Sequence, residues 1–215
     1  MSERAAAFAH QFDDAEQQHD ASTLGMWVFL VTEIMFFAGM FTLYVAYRSL
    51  YPEGFAHASH HLNVMLGAIN TTVLITSSLT MALAVRFAQL GRRGPLITCL
   101  LLTIALGSTF LVIKGFEYAH KFHEGLVPGP WFSYHGPDAG PQQLFLSIYF
   151  AMTGVHAAHM VIGIVLLSVL VRQAHLGRYG VSYYTPVELS GLYWHFVDIV
   201  WIFLFPLLYL IGRHV

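Results

Sequence analysis

Charge is scarce in this chain of 215 residues: Asp, Glu, Lys and Arg make up 10% of it, where a soluble domain carries about 25%. Cysteine is nearly missing. Cys99 stands alone, so no disulfide can close within the chain and nothing about redox compartment follows. Neither sign of charge dominates, and a net charge of −2 supplies no basic field for nucleic acid. No nucleotide-binding glycine loop, HExxH or CxxC motif occurs, which removes the commonest phosphate, zinc and dithiol chemistries. Internal repeats and low-complexity stretches are also lacking. What fills the chain is apolar, 56% hydrophobic and 15% aromatic. That composition belongs to an integral membrane protein folded as one all-α bundle.

Five long apolar segments carry the bundle, roughly 24–47, 62–85, 95–118, 143–171 and 189–211. The first is too long for a signal-peptide core and follows acidic residues (Asp13, Asp14, Glu16, Asp20), not basic ones. Residues 1–23 therefore read as a loosely docked tail and 24–215 as a transmembrane domain. Loops are marked by Tyr51-Pro52-Glu53-Gly54, Gly91-Arg92-Arg93-Gly94-Pro95, the Pro/Gly-rich 125–141, and 177–186. Five spans put Arg4, Arg86, Arg92, Arg93, Arg172 and Arg178 on one side and Arg48, Lys121 and Arg213 on the other. The positive-inside rule then predicts a cytoplasmic N-terminus and an outside C-terminus. Trp27, Tyr47, Tyr51, Trp131, Tyr193 and Tyr209 lie near predicted span ends, as interfacial aromatics do. Gly39, Gly67, Gly107, Gly154 and Gly163, with neighbouring alanines, are expected to let helices approach closely.

The polar residues inside the spans are few. Glu33 is the sole charge in Leu24–Tyr47, and an ionisable group at that depth costs on the order of 3 kcal/mol, so it normally faces protein or water. Counting about 1.5 Å per residue from the inner end of each span, Glu33 lies at roughly 14 Å and Asp198 at roughly 13 Å. His195 comes out at roughly 9 Å, His159 at roughly 18 Å and His156 at roughly 22 Å by the same count. His156 and His159 are i, i+3 on span 4; His195 and Asp198 are i, i+3 on span 5. The economical arrangement sets Glu33 against one of these faces so that carboxyl and imidazole pair, His159 being the member of the span 4 pair closer in depth. HxxH also suits a metal or a haem, with His195 as a further ligand. Hydrogen bonding between helices is the reading the short pattern favours. Lys114 and Glu117, i, i+3 at the outer end of span 3, read as a helix-end ion pair that snorkels. The outer-loop histidines His57, His60, His61, His120, His123 and His135 read as solvated, with a weak metal or pH-sensitive patch as the alternative.

Longer matches go further. The stretches Thr32-Glu33, Phe36-Phe37-Ala38-Gly39, LGAINTTVLIT from Leu66, Gly115-Phe116-Glu117-Tyr118, Thr153-Gly154-Val155-His156-Ala157-Ala158-His159, Val171-Arg172-Gln173 and YWHFVDIVWIF from Tyr193 run in order through all five spans. In them the chain resembles cytochrome c oxidase subunit III, of the haem–copper terminal oxidases. The resemblance implies a non-catalytic subunit of a bacterial inner membrane that carries no haem, copper or other metal itself. Haem and copper then belong to partner subunits I and II. It would stabilise the catalytic subunit and support proton uptake during aerobic electron transport. It implies that Glu33 matches a carboxylate that reacts with hydrophobic carbodiimides, and that His159 and Arg172 match residues at a phospholipid-binding cleft. Mitochondrial members have seven spans, and two extra N-terminal helices form the other wall of that cleft. With five spans, that wall must come from another subunit or from bulk lipid. Five-span members include quinol oxidase subunits, and a related subunit accompanies some nitric oxide reductases. A different class, a haem-bearing electron-transfer anchor using His156 or His159 and His195, is the alternative.

Overall fold

The computed structural model describes residues 12–130, 132–134, 136, 138–181 and 183–210. Arg4, Trp131, His135 and Arg213 lie outside the described residues. Among the described residues six α-helices follow in order: α1 (Ala15–Leu50), α2 (Pro52–His60), α3 (Val64–Gln89), α4 (Arg93–His123), α5 (Ala139–His175) and α6 (Thr185–Phe205). A π-helical turn, Pro206–Leu210, continues α6, beginning at the proline that can no longer donate to the helical ladder. All but α2 are long and apolar enough to cross a membrane.

Each span is longer than its apolar run because capping and polar turns extend it. Helix α1 begins at Ala15, within the stretch read as tail. Asp14 is its N-cap, accepting from the Gln17 backbone N–H at 2.7 Å. His19 then meets the Thr185 hydroxyl at 3.1 Å, so this end of α1 is tied to the start of α6. The Tyr51-Pro52-Glu53-Gly54 signal marks a helix start rather than a loop. Pro52 occupies the first turn of α2, where its fixed φ is already helical and its missing N–H is not needed.

Helices α3, α4, α5 and α6 form a four-helix bundle, with α1 laid along the groove between α5 and α6. In the most apolar stretch of α6 56% of residues are buried, against 17% in α1. Helix α1 touches the bundle through one stripe: Leu30, Phe37 and Tyr44 are buried at sevenfold spacing, the narrow seam of a helix packed on a single face. Glu33 falls on that stripe.

Hydroxyls stitch the bundle together. Thr71, Thr72, Thr76, Thr103, Thr109 and Thr153 donate to carbonyls four residues back, which satisfies them where no water competes. Three α3 hydroxyls also reach α6: Thr71 accepts from the Trp201 indole at 3.1 Å, Ser77 from the Trp194 indole at 3.1 Å, and Ser78 meets His195 Nδ1 at 2.7 Å. A Cβ at Gly107 would fall 2.7 Å, and one at Gly163 2.9 Å, from the Trp194 ring. A Cβ at Gly67 would fall closer still, 2.5 Å from the Phe205 ring, but Gly39 has nothing within 4 Å and Gly154 only the Tyr118 hydroxyl. The latter two glycines therefore do not serve close packing within this chain.

The α3–α4 and α5–α6 turns meet at one end. Gly91 lies against Val181 and Gly177 beside the Arg93 guanidinium, which gathers Arg86, Arg92, Arg93, Arg172 and Arg178 at that end. Of the expected interfacial aromatics, Trp27 and Tyr51 are exposed, whereas Tyr193 and Tyr209 are buried in the bundle.

Candidate functional site

Three polar centres lie within the spans. At the first, Glu33 Oε2 stands 3.1 Å from His159 Nε2. His159 Nδ1 lies 2.9 Å from the Val155 carbonyl oxygen, and its own carbonyl accepts from Tyr193 at 3.0 Å. Since a carbonyl can only accept, Nδ1 carries a hydrogen there. One proton remains for the Glu33–Nε2 contact. It sits on the carboxyl or on the ring, and in either form the pair is electrically neutral as a unit. Phe37 closes over the imidazole at 5.5 Å between ring centres. The Glu33 side chain keeps 21% of its surface exposed, and His159 keeps 15%, so the pair lies at the edge of the bundle beside α1 and not in its core.

His156 and His159 do not work as one face. The 60° between i and i+3 positions is enough to turn His156 inward, where it is fully buried against Phe110 and Trp201. Neither of its ring nitrogens has a hydrogen-bond partner among the described residues. His195 turns instead to α3 and Ser78. Asp198, 3% exposed, lies beside Ser77 and Ser78 with no well-formed hydrogen bond to either carboxyl oxygen. Glu33 is thus placed with His159, while Asp198 and His195 belong to a separate polar floor between α3 and α6. The three histidines aim at three different helices and enclose no common ligand position. Among the described residues no group of three or more His, Cys, Asp or Glu side chains could hold a metal ion.

The third centre departs from the expected snorkelling pair. Helix α4 runs on to His123, so Lys114 and Glu117 lie about 14 and 9 Å short of its end, and they are enclosed at 4% and 3% side-chain exposure. The Lys114 ammonium donates to Glu117 Oε2 at 2.9 Å, Tyr149 OH at 2.9 Å and Tyr209 OH at 3.0 Å. Both phenols then donate to Glu117 Oε1, at 2.9 and 2.7 Å. Every proton of the ammonium and of both phenols is used, and the rings of Tyr118 and Trp201 lie over the cation at 5.4 and 5.2 Å. The i, i+3 spacing announced an ion pair. The tyrosines that bury it come from α5 and the end of α6, more than thirty residues away in sequence, and no local pattern points to them.

At the end of α4 Lys121, 3% exposed, donates to Glu124 at 2.6 Å while His120 meets the other carboxyl oxygen at 3.1 Å. Partial burial raises the Glu124 pKa, but the Lys121 hydrogen bond and charge, with His120 and His61, outweigh this and hold it below the ordinary glutamate value. A depressed carboxyl pKa stabilises the fold above the unfolded value and ceases to do so as pH falls through the folded one. Amide exchange in 124–134 is therefore expected to accelerate below about pH 4, and Glu124→Gln to remove that acid step; an unchanged acid profile in the variant would exclude the ion pair as its source. His57 meets Asp138 at 3.0 Å and His61 lies edge-on to Tyr134 at 6.4 Å. Of the outer-loop histidines, His57, His61 and His120 thus meet partners among the described residues. Arg172 is exposed at the end of α5, about 20 Å along the helix from His159.

Residues 6–213 match the description "Cytochrome c oxidase subunit III". The chain belongs to that family. It is 35% identical to cytochrome c oxidase subunit 3 of Synechocystis over 89% of this chain and 76% of that protein. The corresponding subunit of Corynebacterium diphtheriae is 33% identical over 88% of this chain and 87% of its own length. The cytochrome bo(3) ubiquinol oxidase subunit 3 of Pseudomonas aeruginosa is 29% identical over 94% of this chain and 91% of its own. The protein is accordingly subunit III of a haem–copper oxidase, a multi-pass protein of a bacterial respiratory membrane, and subunits I and II of that oxidase are its partners. Membership in this family takes the place of the haem-bearing anchor.

Proposed function

We propose that this subunit III stabilises the catalytic subunit and supports proton uptake through the Glu33–His159 pair, with haem and copper carried by its partners. The carrying observation is the 3.1 Å contact: a carboxyl and an imidazole share one proton at mid-membrane depth, with part of their surface open beyond this chain. A carboxyl of that kind is reachable by a hydrophobic reagent. It exchanges its proton with the ring without creating net charge, which suits a relay or buffer in a medium that penalises charge. The N-terminus and the arginine-rich end face the cytoplasm in this reading. Arg172, exposed at that end, takes an anionic headgroup there, while the acyl chain runs toward His159. The somewhat higher identity to the two cytochrome c oxidase subunits than to the quinol oxidase subunit favours cytochrome c as the donor of the complex.

The test is to purify the tagged chain from native membranes. The expected result is a haem-containing complex that oxidises reduced cytochrome c, with phospholipid retained in the native form and lost in Arg172→Ala. In that complex Glu33→Gln should assemble, resist carbodiimide labelling and pump fewer protons per electron while reducing oxygen. Glu33→Ala should lower stability by about 1–3 kcal/mol, because His159 loses its partner. Recovery of the chain as a homo-oligomer free of haem protein would reject the reading, and full carbodiimide sensitivity of pumping in Glu33→Gln would reject the assignment to this pair.

A further inference from the structure

A groove of about 340 Å³ runs between α3 and α6, lined by Ile75, Ser78, Leu79 and Ala82 on one side and His195, Asp198, Ile199 and Ile202 on the other. Both walls repeat at i, i+3, i+4 and i+7, the spacing that presents one helical face to an incoming helix. Its rims are apolar and open: Ile75, Leu79 and Ile199 are 54%, 61% and 51% exposed. Its floor is polar. Ser78 and His195 meet at 2.7 Å, but Asp198 lies in the same floor beside Ser77 and Ser78, 3% exposed, with no well-formed hydrogen bond to either carboxyl oxygen. Asp198 is thirteen residues from Thr185 and twelve from Leu210, about 20 and 18 Å from the two ends of the span. This is the middle of the span.

We propose that this groove docks a transmembrane helix of the catalytic subunit, and that a side-chain hydrogen-bond donor on that helix caps Asp198. The inference rests on the reading of the chain as an oxidase subunit and specifies the face by which it binds. A buried carboxyl without a donor is expensive in hydrocarbon. Lipid does not supply one at this depth: acyl chains carry no donors, and headgroups sit some 15 Å away at the interface. A second copy of this chain, set face to face, would bring a second Asp198 toward the first. A helix delivers an amide, hydroxyl or cationic donor at the midplane, and the twin i/i+3/i+4/i+7 walls match its shape. The α1 seam does not compete, because its inward stripe is already filled by α5 and α6.

The test places a photo-crosslinking amino acid at Leu79 or Ile199 in the intact complex, with Val112 and Val165, both 57% exposed, as control positions on α4 and α5. Subunit I adducts from Leu79 and Ile199, with lipid adducts alone from the controls, are expected. Asp198→Leu should raise the fraction of complex that loses this chain on detergent washing at least tenfold, whereas Asp198→Asn, which keeps an acceptor, should shift it less than threefold. An intact complex in which the groove positions label only lipid, subunit II or a second copy of this chain overturns the docking face while leaving the oxidase assignment standing. Failure of the unmodified chain to co-purify with haem protein would overturn both. If Asp198→Leu does not fold, the crosslinks made by the Leu79 and Ile199 positions still decide.

Discussion

Replacing Lys114 with methionine is expected to destabilise the bundle by about 3–5 kcal/mol, the loss typical when one partner of a buried ion pair is removed. The Glu117 carboxylate would be left 3% exposed with only two phenols to support it. Glu117→Gln should be comparably harmful, since it strands the ammonium among Tyr118, Tyr149, Trp201 and Tyr209. The double replacement Lys114→Met with Glu117→Leu removes both charges and restores apolar volume, and it is expected to recover much of the loss. The double-mutant cycle is read from thermal unfolding of the detergent-solubilised complex. Additive losses would show that the two charges do not interact, against the 2.9 Å contact. Tyr149→Phe and Tyr209→Phe each remove one donor to Glu117 and one acceptor of Lys114, so each should cost about 1–3 kcal/mol.

The second large effect is expected at Trp194. Its side chain, 1% exposed, is held between Gly107 of α4 and Gly163 of α5, while its indole N–H bonds Ser77 of α3. One residue of α6 therefore keys all three other bundle helices. Trp194→Ala should cost about 3–5 kcal/mol, because the flanking backbones cannot collapse into so large a gap. Gly107→Leu should act from the other side, driving a side chain into the space the indole fills, at about 1–3 kcal/mol or more. Trp194→Phe keeps most of the ring and loses the Ser77 bond, so about 1 kcal/mol is expected. A thermal midpoint for Trp194→Ala equal to that of the native complex would show that the wedge does not hold the bundle.

These two predictions concern residues of unequal legibility. YWHFVDIVWIF carries part of the family resemblance, yet it does not say that Trp194 would meet two glycines on two other helices. Gly107 and Gly163 were expected to permit close approach and do so. Gly39 and Gly154 looked the same in sequence and do not, because a small residue is useful only where a neighbouring helix arrives.

The number of spans, their order and the lone carboxyl of the first apolar run followed from the sequence because they rest on local quantities: apolar run length, helical rise and the penalty for charge in hydrocarbon. The meeting of Glu33 with His159 was also within reach, since depth along two antiparallel or parallel spans can be counted. Rotation about each helix axis could not be counted. The apolar spans carry hydrophobic residues on nearly every side, and no amphipathic stripe fixes which face turns inward. Packing decided it. It sent His156 into the core and His159 to α1, turned His195 and Asp198 toward α3, and drew Tyr209 from the expected interface onto Lys114. The extension of α4 to His123, with Tyr149 and Tyr209 packed on it, then decided that the Lys114–Glu117 pair is enclosed rather than solvated.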